Sequence, residues 1–110
     1  YSKELNNTPL KLPIEKQNSQ HVFHLYTVYH PKRDLIIKKL KKKNIQVKIY
    51  YPYPIHKMKA YNSLNKKRKL HLPITEKTSK GIFSLPLYPK LKYDEVYKIA
   101  KVLKTVLKTI

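Results

Sequence analysis

Apolar and polar positions recur with two different periods along this chain, and each change of period marks an element. The plainest pattern is at the carboxyl end. In YDEVYKIAKVLKTVLKTI, Val96, Ile99, Ala100, Leu103, Val106, Leu107 and Ile110 follow at intervals of three, one, three, three, one and three residues. That spacing lays them along one stripe of a helix. Asp94 and Glu95 open the segment and lysines follow, the order that suits the helix dipole. Behind Pro31, KRDLIIKKLKKKN (32–44) groups Leu35, Ile36, Ile37 and Leu40 on one side and lysines on the other, which predicts an amphipathic helix. Asp34 lies in its first turn, and Asn44 is a residue that tolerates the left-handed conformation ending a helix. A third helix is predicted over 72–83, LPITEKTSKGIF, with proline near its start, Glu76 in its first turn and Gly81 near its end.

Elsewhere the period is two. IQVKIYY (45–51) alternates Ile45, Val47 and Ile49 with polar partners, the signature of a half-buried strand. HVFHLYTVY (21–29) is rich in aromatic and β-branched residues and reads as another strand. SLPLYP (84–89) is bounded by prolines and too short for a helix, so it predicts a short edge strand or extended segment. Residues 1–20 carry two prolines and many small polar residues without periodicity, and read as an extended lead-in rather than as part of a core. The expected architecture is α/β (α+β): a sheet of two or three strands covered by about three helices, with residues 21–110 as the domain.

Composition narrows this picture. At 110 residues the chain suits one domain with a modest core. It has no cysteine, so neither disulfides nor thiolate metal sites are available. No apolar run reaches the roughly 18 residues of a spanning helix and no signal-peptide pattern opens the chain; a cytoplasmic protein without a membrane partner is expected. The formal charge of +19 invites a nucleic-acid reading. Only Arg33 and Arg68 are arginine among 25 basic residues, however, and arginine is the residue suited to bidentate phosphate and guanine contacts. Nucleic acid is therefore a disfavoured partner. The local cluster NKKRKL (65–70) reads as a solvated loop.

Candidate chemistry is sparse. A single glycine cannot build a glycine-rich phosphate loop. His21 and His24 are close in sequence but point to opposite faces of a strand, and the six carboxylates are scattered, several of them at helix starts. The stretch that stands out is YYPYPIHKMKAY, Tyr50 to Tyr61. It leaves the sheet as a loop on a rigid scaffold. Its tyrosines can simply pack on the helices, while the His56 imidazole beside tyrosine hydroxyls offers donors and acceptors suited to a sugar or phosphate.

Four blocks, HVFHLYTV, RDLIIKKLKKKNI, YYPYPIHKMKAY and LPITEKTSKGIFSLPLYPKLKYDEVYKIAKVL, stand in one order. In that order and spacing they resemble the C-terminal portion of the DegT/StrS family of pyridoxal-phosphate-dependent sugar aminotransferases, over about residues 9–109. The family pattern there runs roughly H-x-Y-H-x-Y, R-D-x-L, H-Y-P-x-P-x-H-x-Q-x-A-Y, L-P-x-x-E and S-L-P-x-Y-P before a final helix. The resemblance implies the small domain of a fold-type-I aminotransferase, packed in the complete enzyme beside a large domain that carries the cofactor lysine. It further implies pyridoxal phosphate in that enzyme and none held by this chain, a nucleotide-sugar substrate, a homo-oligomer, and Tyr51 and His56 on the substrate side.

This chain departs from the pattern at Tyr50, where the family has histidine, at Met58, where it has glutamine, and at Lys92, where a threonine cap is frequent. No lysine stands in the family's serine-histidine-lysine context, so no catalytic or metal-binding residue is assigned. Two other expectations are a noncatalytic remnant that binds a partner through exposed apolar surface and a basic nucleic-acid-binding module.

Overall fold

Around Phe83, which has no exposed surface, the chain gathers Leu5, Val28, Ile36, Leu40, Leu85, Ala100, Leu103 and Val106 into one core. The structure is a computed structural model and describes residues 1–64 and 70–110. The elements are helix α1 (Ser2–Leu5), strand β1 (Tyr26–Tyr29), helix α2 (Arg33–Lys41), two 3-10 turns (Ile55–Lys57 and Lys59–Tyr61), helix α3 (Pro73–Gly81), strand β2 (Ile82–Leu85) and helix α4 (Tyr93–Leu107). Residues 65–69 of the basic NKKRKL cluster lie outside the described residues.

β1 and β2 pair antiparallel, with Tyr26 opposite Leu85 and Val28 opposite Phe83. Directly opposed residues share a face, so these four point into the core. Thr27 and Ser84 oppose each other on the reverse face and their hydroxyls lie 2.9 Å apart. An isolated bridge extends the sheet on each side, Lys11 to Tyr29 and Lys48 to Ser84. The predicted small sheet with helical cover is present, and α2 and α4 supply that cover through Ile36, Leu40, Leu103 and Leu107.

Several elements differ from their predicted form. The 21–29 strand is confined to Tyr26–Tyr29. Upstream, the His21 Nδ1 accepts the Phe23 backbone N–H at 2.9 Å and Phe23 adopts φ 46°, so a side chain captures the backbone donor that a strand would use. The aromatics instead stack, His21 on Phe23 and Phe23 on Tyr26. Ile45, Val47 and Ile49 do alternate half-buried, yet the segment makes only the Lys48 bridge. In α2, Ile36 and Leu40 are buried whereas Leu35 is exposed; its arc of the helix turns past the core. Asn44 takes the expected left-handed conformation, φ 58°.

Residues 1–20, expected as a lead-in outside the core, contribute helix α1 and the buried Leu5 and Leu10. The polar residues between them hid a pair of leucines that α4 and the sheet enclose. Tyr1 reinforces the attachment by donating its hydroxyl to the Pro86 carbonyl at 3.0 Å; burial holds that phenol well above its ordinary range. The start of α4 is closed by the Lys92 backbone N–H donating to Glu95 Oε2 at 2.9 Å, half of a capping box. The Lys92 ammonium has no acceptor with which to complete it.

Gly81 ends α3 as expected, for a different reason. Its backbone is not left-handed. The Tyr29 ring lies against its Cα, so any Cβ there would overlap the ring.

Candidate functional site

The loop after Lys48 leaves the sheet through a cis Tyr50–Tyr51 peptide and runs into the two 3-10 turns. Pro52 and Pro54 fix the backbone on the way, and Pro54 is extended. This loop and α3 stand apart to form a groove of 720 Å³. One wall is Tyr51, Tyr53, Ile55, His56, Met58 and Tyr61; the other is Ile74, Thr75, Thr78 and Ser79 of α3, with Ile82 of β2 between them. Both substrate-side residues implied by the sequence, Tyr51 and His56, line this groove. Tyr51 is 71% exposed, whereas His56 is 7% exposed.

A buried imidazole needs a partner, and Glu76 supplies it. His56 Nε2 lies 3.0 Å from Glu76 Oε1, and Lys57 Nζ lies 3.4 Å from the same oxygen. The bond with His56, followed by the interactions with Lys57, holds the Glu76 carboxyl below the usual carboxylate range. In the sequence Glu76 stands out only as a charge suited to a helix start. Its separation of twenty residues from His56 conceals the pairing, and the block L-P-x-x-E was the one signal available.

α3 is itself moored from below. Arg33 Nη1 donates to the Ser79 carbonyl at 2.6 Å and lies 3.5 Å from the Ile82 carbonyl, while its Nε donates to Asp34. The arginine of the R-D-x-L block thus ties the first turn of α2 to the last turn of α3 and sets one wall of the groove. On the opposite side of α3 a second cleft collects His71, Glu76, Lys77 and Lys80; its two lysines are exposed. Among the described residues no three His, Cys, Asp or Glu side chains are placed to share a metal ion, and no helix is long and apolar enough to cross a membrane.

The described lining of the groove offers none of the charged groups that pyridoxal phosphate calls for. That cofactor needs an amine for its aldehyde, an acid for its pyridine nitrogen and donors or cations for its phosphate. Among the described residues lining the groove there is no lysine, arginine, aspartate or glutamate, and His56 is the one imidazole. What the groove offers is an aromatic and aliphatic surface with tyrosine and threonine hydroxyls and one fixed ring nitrogen, a chemistry suited to a neutral, hydroxyl-bearing group.

Residues 1–104 match the model of the DegT/DnrJ/EryC1/StrS aminotransferase family. The dTDP-3-amino-3,4,6-trideoxy-alpha-D-glucose transaminase of Micromonospora megalomicea subsp. nigra is 38% identical over 99 residues, covering 89% of this chain and 26% of that protein. Among solved structures, NtdA from Bacillus subtilis with bound cofactor PMP is 30% identical with a TM-score of 0.83, covering 98% of this chain and 26% of that one. S. venezuelae DesV in complex with a ketimine intermediate shares the fold, with a TM-score of 0.88 at 24% identity, over 99% of this chain and 29% of that one. The chain therefore spans between a quarter and a third of the length of these relatives.

Proposed function

The chain belongs to the DegT/DnrJ/EryC1/StrS aminotransferase family, and from that premise we propose that it is the C-terminal domain of a pyridoxal-phosphate-dependent nucleotide-sugar aminotransferase. In this reading the cofactor lysine, the acid on the pyridine nitrogen and the phosphate anchors belong to a large domain outside this chain. The complete enzyme works in the cytoplasm, as a homo-oligomer, in the synthesis of sugar polymers or other glycosylated products. When bound there, the cofactor supplies the electron sink for amino transfer. This chain supplies a wall of the substrate site, with Tyr51 and His56 facing the sugar.

The observation that carries the reading is the aromatic groove, whose described lining includes no cation, on a chain that matches 26% of the length of its relatives. Shape supports it: the radius of gyration is 16.1 Å, against about 13 Å for a compact globule of this length. A module shaped to lie against a second body has that extension. The test is to co-express the chain with the polypeptide encoded immediately upstream and assay amino transfer to keto nucleotide sugars. Activity requiring both polypeptides supports the proposal; an upstream product without a cofactor lysine overturns it. Tight, salt-resistant capture of an unrelated protein by the groove would favour an interaction module instead, and strong binding to DNA at low salt would favour a basic nucleic-acid partner.

A further inference from the structure

The pairing of His56 with Glu76 has a consequence for which ring nitrogen is free. An ionised carboxylate only accepts hydrogen bonds, so at the 3.0 Å contact Nε2 must donate. The neutral ring then carries its proton on Nε2, and the lone pair is left on Nδ1. Among the described residues Nδ1 has no protein partner, although the His56 side chain is only 6% exposed and forms part of the groove wall. Met58, on the same wall, has no polar group that could satisfy it.

Resting on the function proposed above, we propose that Glu76 is a positioning residue: it holds His56 in the Nε2–H form so that Nδ1 accepts a hydrogen bond from a hydroxyl of the neutral sugar portion of the substrate in the groove. Two observations beyond the contact itself agree. Glu76 projects from α3, whose last turn Arg33 ties to α2, so the carboxylate is presented by an anchored element. The described residues lining the groove include no cation and the neighbouring Lys57 ammonium lies 3.4 Å from Glu76, so a neutral polyol would meet no unpaired charge among them.

The test reads the tautomer directly. Long-range proton–nitrogen spectra of the histidine-labelled chain, recorded at about pH 8.5 where an ordinary imidazole is neutral, distinguish the two forms, and His56→Gln identifies the signal. The wild type and Glu76→Gln, which keeps an acceptor, are expected to show Nε2–H; Glu76→Ala is expected to show a mixture of both forms. A wild-type ring protonated on Nδ1, or an unchanged ring in folded Glu76→Ala, overturns the proposal. Should Glu76→Ala not fold, the wild-type and Glu76→Gln spectra decide. Adding N-acetylglucosamine is expected to shift the Nδ1 resonance, and inorganic phosphate to leave it in place. A shift with phosphate, or none with the sugar, overturns the acceptor role while leaving the co-expression assay as the separate judge of the function.

Discussion

The two sides of β2 face opposite fates. Phe83 and Leu85 turn into a core closed on every side by α1, α2 and α4, whereas Ile82 opens onto the groove, where Tyr53, Ile55 and Ile74 are each more than half exposed. One side has completed its burial within this chain. The other presents apolar surface of the sort that monomeric proteins seldom leave uncovered. The contrast predicts that the same kind of substitution costs far more on the closed side than on the open one.

The largest effect belongs to the closed side. Phe83→Ala is expected to cost about 3–5 kcal/mol, read from the midpoint of urea denaturation. Ile74→Ala, which also deletes a large apolar side chain, is expected to change stability by less than about 0.5 kcal/mol. Equal losses at the two positions would erase the distinction.

Next are the ties between the sides. Arg33→Ala leaves the Ser79 carbonyl without its charged donor, and a loss of roughly 1.5–3 kcal/mol is expected for a bond of that kind. The exposed Asp34 partner contributes little, so Asp34→Ala should leave the denaturation midpoint nearly unmoved. Gly81→Ala forces a methyl into the Tyr29 ring and is expected to cost about 1–3 kcal/mol. Combining it with Tyr29→Ala should recover part of that loss in a double-mutant cycle; strict additivity would show that the ring is not the obstacle.

The smallest effect is on pH dependence. Burial, then the Lys32 charge, pushes the His30 imidazole below its ordinary value, so the fold favours the neutral ring. Its contribution is complete above the ordinary imidazole value of about 6.5 and is lost as pH falls through the lowered one. The melting temperature should therefore decline between about pH 7.5 and 5.5, and decline less in His30→Asn, whose side-chain oxygen can take the bond that Nδ1 accepts from the Lys32 N–H.

The helices and the sheet were legible because burial imposes a period. The α4 stripe places Ala100, Leu103, Val106 and Leu107 in the core as the spacing requires, and Asn44 ends α2's last turn as its side chain allows. Where a long-range contact decides, periodicity is silent. Leu5 and Leu10 lie in a stretch with no repeat and are buried only because α4 and the sheet meet over them. Tyr51 and His56 were singled out by their aromatic and proline-rich setting, but the contact that orders His56 comes from α3, twenty residues away. Gly81 was legible as a helix end, yet its necessity comes from a tyrosine on the neighbouring strand.

The central claim, that this chain walls a substrate site whose cofactor chemistry resides elsewhere, is tested most directly by treating the isolated chain with pyridoxal phosphate, reducing with borohydride and mapping the modified peptides. The account predicts substoichiometric labelling scattered over exposed lysines. Stoichiometric labelling of one lysine would contradict it.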